Sequence, residues 1–219
     1  ELSDIQSLDE WVISHEIARI FLMVVDFVQT GNKSNFVSID NIFDKLLSIA
    51  TESNLISYWL ILRLLKIMLA TFKKASLWTV LPPLLPVKHT IENYIRLLSG
   101  FKPAITELWT SQTMAIPLAV GENNGAVINL RTSGGKTRVA EIAILNTLSK
   151  DMMAKVLYLA PFRSLAFEVE QGLSNIFAPL GITVSQLYGG STANVTDFEL
   201  IKQSQVIVAT PEKAKAIIR

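Results

Sequence analysis

The sequence predicts an α/β chain in two parts: an all-helical stretch, then a parallel sheet with helices on both faces. Two observations carry this. Residues 1–100 place their apolar side chains at helical spacing, whereas residues 101–219 alternate short β-rich runs with helical stretches, the pattern of βαβ units. Apolar residues make up 50% of the 219 and charged residues 18%, which is ample for a core and excludes disordered or collagen-like chains.

The elements follow in order. Ser7-Leu8-Asp9-Glu10 reads as a capping box, and Ile13, Ile17, Ile20, Phe21, Val24 and Val28 continue it as an amphipathic helix that Gly31 stops. A second helix is expected from about Ile39 to Ala50 and a third from near Ser53 toward Lys74. Pro82-Pro83 and Pro86 break the chain, and Thr90 to Ser99 is a fourth helix closed by Gly100. In the second part, strands are expected at Ala126–Leu130, Lys155–Leu159, Thr183–Leu187 and Val206–Ala209. Helices are expected at Lys136–Ser149, Ser164–Phe177 and Pro211–Ile218. The domain expectation is a helical accessory domain at 1–100 and an α/β domain at 101–219.

Composition narrows the chemistry. The chain has no cysteine, which excludes disulfides, thiolate metal sites and a thiol nucleophile. Its two histidines, His15 and His89, are far apart and make imidazole clusters or Ser-His-Asp hydrolysis poor candidates. A net charge of +1 leaves any nucleic-acid binding to specific local contacts rather than bulk charge. Mean hydropathy is +0.38, yet no stretch reaches the roughly 18 uncharged apolar residues that a spanning helix needs. The first residues also lack the basic region of a signal peptide. The expectation is therefore a cytoplasmic protein without a membrane partner, in which the sequons at Asn32 and Asn194 are coincidental. Arg63, Lys66, Lys73 and Lys74 share one helix face and read as a solvated stripe.

The segment that carries chemistry is Leu130-Arg131-Thr132-Ser133-Gly134-Gly135-Lys136-Thr137, between an expected strand and an expected helix. A phosphate-binding loop needs small residues whose backbone N–H groups turn toward a polyphosphate, and a helix N-terminus aimed at the anion. It also needs a lysine for the β- and γ-phosphates and a hydroxyl for Mg²⁺. Gly134, Gly135, Lys136 and Thr137 meet those needs in order, with Thr132, Ser133 and Arg138 flanking them. The strict pattern G-x-x-x-x-G-K-[ST] fails at its first position, Leu130.

Several further segments align with this loop. Ala140-Glu141 continues its helix, Ala160 to Ala166 follows the second β-rich run, Tyr188-Gly189-Gly190 follows the third, and Val208-Ala209-Thr210-Pro211-Glu212-Lys213 spans the fourth. Upstream lies Leu108-Trp109-Thr110-Ser111-Gln112, with Gln112 placed 24 residues before Lys136. Together these resemble the superfamily 2 DEAD/DEAH-box helicases, in particular their superkiller-like DExH branch, over about residues 105–219. Arg131 departs from the family's usual proline.

The resemblance implies a RecA-like fold, ATP and Mg²⁺ as cofactors, and DNA or RNA as partner. It assigns Lys136 and Thr137 to catalysis, with Thr137 on the metal. Gln112, Thr132, Ser133, Gly134, Gly135, Lys136, Thr137 and Arg138 would hold the nucleotide, with Gln112 reading adenine. Pro161, Phe162, Arg163, Gly190, Thr210, Pro211 and Lys213 would meet the nucleic-acid backbone. Simpler roles compete: Gln112 as a cap or exposed amide, Arg163 as a surface arginine, Thr210 as an N-cap before Pro211. Trp109 reads as a buried aromatic anchor.

The sequence ends at Arg219, before the point where that family carries its DExH carboxylates, and it begins without methionine. The expectation is an N-terminal fragment that is inactive alone, with the sheet truncated. The helical start and the Leu-Trp-x-Ser-Gln entry are similar to bacterial antiphage defence helicases of the Hachiman type. The function expected is an ATP-dependent helicase or translocase. Alternatives are a helical partner-docking module on a regulatory P-loop ATPase, or a duplex translocase that never separates strands.

Overall fold

The structure is a computed structural model and describes residues 8–85, 87–121, 125–131, 134–187 and 192–218. Its residues form two compact units, Glu1–Val80 and Leu81–Arg219. The division falls among the prolines instead of at residue 100, so the helix expected at Thr90–Ser99 belongs to the second unit.

The first unit is helical, with α1 (Leu8–Thr30), α2 (Ser34–Glu52), α3 (Ile56–Ala75) and the single turn α4 (Leu77–Val80). Ser7 of the expected capping box lies outside the described residues. Ile13, Ile20 and Phe27 recur every seventh residue along α1 and are fully buried, as a helical stripe must be. They meet Phe36, Ile39, Phe43 and Leu46 of α2, with the Phe27 and Phe36 rings edge to face at 4.7 Å. Gly31 ends α1 at φ +75°, and a Cβ there would lie 2.5 Å from the Trp78 ring, so the turn requires glycine. The Trp78 indole N–H donates to Val28 O at 2.8 Å. The basic stripe of α3 is not simply solvated: Lys66 reaches Asp44 at 2.5 Å and Lys73 reaches Asp40 at 3.9 Å, both on α2.

The second unit runs α5 (Lys88–Ser99), α6 (Thr110–Val120), α7 (Lys136–Lys150), β1 (Val156–Leu159), α8 (Arg163–Phe177), β2 (Val184–Gln186), α9 (Val195–Gln203), β3 (Val206–Ala209) and α10 (Pro211–Ile218). All three strands are parallel, in the order β1-β3-β2. Val156 of β1 and Val184 of β2 both stand opposite Val206, and Leu159 stands opposite Ala209. β3 is central and buried along its whole length, the all-apolar pattern of an inner parallel strand. Ile207 and Ala209 pack with Leu187, Ala214, Leu200, Ile201 and Ile217, while α8 packs on β2 and β3.

Three expected strands are present. The fourth, Ala126–Leu130, is not: the segment is irregular and Val127 is 99% exposed. A β-rich run becomes a strand only where a neighbour pairs its backbone, and among the described residues none does. Sequence periodicity also missed α6 and α9. No helix among the described residues is long and apolar enough to cross a membrane.

Candidate nucleotide and nucleic-acid sites

α7 starts at Lys136, immediately after the glycine turn. The Gly134 N–H donates to Arg131 O at 2.8 Å, folding the chain back, and Gly135 follows at φ +72°. A Cβ on Gly135 would lie 2.0 Å from Gln112 Nε2, so both backbone and space demand glycine. Lys136 and Thr137 are exposed on the first turn of a 15-residue helix, where free N–H groups and the positive end of the helix dipole favour an anion. Lys136 has no ion-pair partner among the described residues. Glycines, free lysine and exposed hydroxyl fit a polyphosphate with its magnesium. Thr132 and Ser133 lie outside the described residues.

Gln112 is only 6% exposed and is turned inward. Its Oε1 accepts the Trp109 N–H at 2.8 Å, and its Nε2 donates to Gly135 O at 3.2 Å. The Ser111 hydroxyl reaches Gly134 O at 3.4 Å. Both ends of the amide serve backbone groups, and α6 braces the loop from behind. Trp109 is 57% exposed and is not the buried anchor the sequence suggested.

Arg138 is turned inward as well. Its guanidinium pairs with Glu141 and donates to the Tyr94 hydroxyl of α5 at 3.2 Å, while its own N–H is bonded to Gly135 O. Tyr94 in turn donates to Glu141 at 3.1 Å. Burial pushes the Tyr94 hydroxyl far above its ordinary pKa, so it stays a neutral donor. Burial opposes the Arg138 charge, but Tyr94 and Glu141 outweigh it and hold the guanidinium ionised. The side chain is therefore held against Tyr94 and Glu141. A cavity of about 370 Å³ beside α7 is bounded by Lys136, Val139, Ala140, Tyr158, Ala126 and Ile128. Lys136 is the charged side chain among these lining residues. Burial also raises the Tyr158 hydroxyl's pKa.

The other candidate groups gather at the carboxyl ends of the strands, where α/β sheets bind ligands. The Ala160 N–H donates to Ala209 O at 2.9 Å, so the loops after β1 and β3 leave the sheet side by side. Pro161, Phe162 and Arg163 are exposed there, with Phe162 at 69%, and so is Pro211. Thr210 is half-buried and caps α10, its Oγ1 accepting the Lys213 N–H at 3.4 Å. Gly190, with Tyr188 and Gly189, lies outside the described residues.

Lys213 is buried among its own partners. It is 1% exposed, and its ammonium donates to Asp197 Oδ2 at 2.6 Å and Thr192 O at 2.9 Å. A buried ammonium with two such partners cannot face a nucleic-acid backbone. Asp197 also completes a reciprocal capping box with Asn194 at the start of α9. The sequence carried signals for these partners: Glu141 stands three residues after Arg138 on one helix face, and Asn194-x-x-Asp197 is a capping pattern. Tyr94 had no such signal, being 47 residues from Glu141. Among the described residues, no His/Cys/Asp/Glu group could hold a metal by itself.

Hachiman protein HamB of Bacillus cereus is 39% identical over 214 residues, which is 98% of this chain and 19% of HamB. An activating signal cointegrator 1 complex subunit 3-like protein of Dictyostelium discoideum is 36% identical over 118 residues, covering 52% of this chain and 5% of that protein. The RQC trigger complex helicase SLH1 of Saccharomyces cerevisiae is 32% identical over 121 residues, covering 49% and 6%. The chain thus spans a fifth or less of these relatives. A solved hypothetical ATP-dependent RNA helicase from Sulfolobus tokodaii aligns at 25% identity and TM-score 0.46, over 60% of this chain and 36% of that one. The family model for DEAD/DEAH box helicases matches residues 109–219, from Trp109 beside the loop-bracing glutamine to the helix after β3. With that match over half its length, and a glycine-lysine-threonine turn opening a helix beside a parallel sheet, the chain belongs to the DEAD/DEAH box helicase family.

Proposed function

We propose that this chain is the ATP-binding part of an ATP-dependent nucleic-acid helicase or translocase. The observation that carries the reading is the pair Lys136 and Thr137, exposed and unpartnered at the N-terminus of α7 behind the Gly134-Gly135 turn. In it, the Gly135 N–H and the Lys136 ammonium hold the triphosphate, the Gly134 N–H being spent on Arg131 O, and the Thr137 hydroxyl holds Mg²⁺. When bound, Mg²⁺ offsets charge on the β- and γ-oxygens. Gln112 and Ser111 fix the glycine turn, and Thr132 and Ser133 complete it on sequence grounds alone.

DNA or RNA lies across Pro161, Phe162, Arg163, Thr210 and Pro211, with Gly190 added from sequence. The Phe162 ring offers a stacking face and Arg163 a charge-assisted contact to phosphate. Likeness to HamB supports a role in antiviral defence. Residues 1–100, of which the unit Glu1–Val80 is the helical body, serve as an accessory domain. Within that body Trp11, Leu22, Leu60, Leu64 and Ile67 are more than half exposed, which favours a second role in docking a protein partner.

The test is steady-state ATP hydrolysis by the full-length protein, with and without single-stranded DNA or RNA. Turnover stimulated by one of them and abolished by Lys136→Ala is expected. Turnover that survives Lys136→Ala undiminished refutes the assignment.

A further inference from the structure

The buried charge cluster beneath the phosphate loop has no role in the reading above. Tyr94 is fully buried on α5, and its hydroxyl both donates to Glu141 and accepts from Arg138. Glu141 is 3% exposed. Arg138 and Glu141 stand three apart on α7 and can pair without help from elsewhere. The third member is what makes the cluster more than a helix-surface pair, because it comes from a separate element. Arg138 is also covalently next to Thr137 and two residues from Lys136, on the turn whose free N–H groups point toward the ligand.

A bond from α5 to that turn therefore sets where the lysine and threonine stand. The cluster is also built to hold a fixed geometry. The tyrosine stays neutral, the guanidinium stays charged, and the Tyr94 and Glu141 ends of the cluster are buried while Arg138 is partly buried.

We infer that Tyr94, with Arg138 and Glu141, is a positioning latch. It fixes the first turn of α7 to α5, and so sets the ATP affinity of Lys136 and Thr137 without touching the nucleotide. This rests on the reading of Gly134–Thr137 as the phosphate site.

The experiment measures the ATP KM, the kcat, the affinity for a single-stranded oligonucleotide without nucleotide, and the melting temperature. It compares full-length wild type with Tyr94→Phe, Glu141→Gln and Lys136→Ala. Tyr94→Phe keeps the packed ring and deletes only the hydroxyl. Its KM should rise about tenfold, the size expected when a hydrogen bond to a charged group is lost. Its kcat should change by less than about twofold, with oligonucleotide affinity intact. Glu141→Gln keeps an accepting oxygen and should raise KM less; it carries the test if Tyr94→Phe does not fold.

An unchanged KM in both variants, while Lys136→Ala abolishes turnover, overturns the latch and leaves the phosphate site standing. An equal fall in ATP affinity, oligonucleotide affinity and melting temperature also overturns it, because the cluster would then be structural support only. Turnover unaffected by Lys136→Ala overturns both readings.

Discussion

The phosphate loop and the loop after β3 both place their candidate groups on the first turn of a helix, but they are braced differently. Behind the phosphate loop stand two side-chain bonds to glycine carbonyls, from Gln112 and Ser111, and a three-membered cluster whose Tyr94 comes from 47 residues away. Behind the other loop stands one ion pair, Lys213 with Asp197, made 16 residues apart and anchored in the cap of α9. In both, a basic residue close to the motif turns inward. The difference lies in what stays outside: a free lysine at the first loop, but only Thr210, Pro211 and the neighbouring Arg163 at the second. The first site can hold an anion by charge, the second chiefly by neutral donors, which suits a sequence-independent backbone contact.

The sharpest way to break the comparison is to exchange the fates of the two lysines. Lys213→Ala should destabilise the second unit by about 3–5 kcal/mol in chemical denaturation, because it strands the Asp197 carboxylate in the interior. Lys136→Ala should leave stability within about 0.5 kcal/mol, since among the described residues none pairs with its ammonium. A stable Lys213→Ala protein with selectively weakened oligonucleotide binding would return Lys213 to the nucleic-acid surface.

A smaller effect sharpens the account of the brace. Gly135→Ala should cost about 1–2 kcal/mol for its left-handed backbone alone, plus the clash with Gln112. The double variant with Gln112→Ala should lose less than the sum of the two singles, because the obstructing amide is gone. Strict additivity in urea denaturation would mean that the contact does not constrain the turn. Asn194→Ala should cost about 1 kcal/mol, the value of an N-cap, and melting curves would report it.

The smallest expected effect lies at the second loop. Arg163→Ala should weaken oligonucleotide binding modestly and lower the slope of log affinity against log salt by about one contact. An unchanged slope would make Arg163 a surface residue without a phosphate.

What could be read from the sequence divides along physical lines. Helices α1, α2, α5 and α8 were legible because each buries one stripe, and that periodicity survives in any environment. The run Ala126–Leu130 has strand composition but no strand, because pairing is supplied by a neighbour and composition is not. α6 was hidden by Pro117 in its interior and by an apolar character without a preferred face. At the site, the glycines, Lys136 and Thr137 were legible because their roles depend on local backbone. The inward turn of Gln112, Arg138 and Lys213 was not, since it depends on Gly135, Tyr94 and Asp197 arriving from elsewhere in the chain.

The central claim is that the first loop holds a polyphosphate by the charge of Lys136 while the second loop holds nothing by the charge of Lys213. Equilibrium titration of ATP in Mg²⁺ against the full-length protein tests it directly, using wild type, Lys136→Ala and Arg138→Gln. The account predicts a loss of more than about tenfold in affinity for Lys136→Ala, at least ~1.4 kcal/mol, and a smaller loss for Arg138→Gln, which acts only through the latch. Equal ATP affinity in wild type and Lys136→Ala, or a larger loss from Arg138→Gln than from Lys136→Ala, would contradict it.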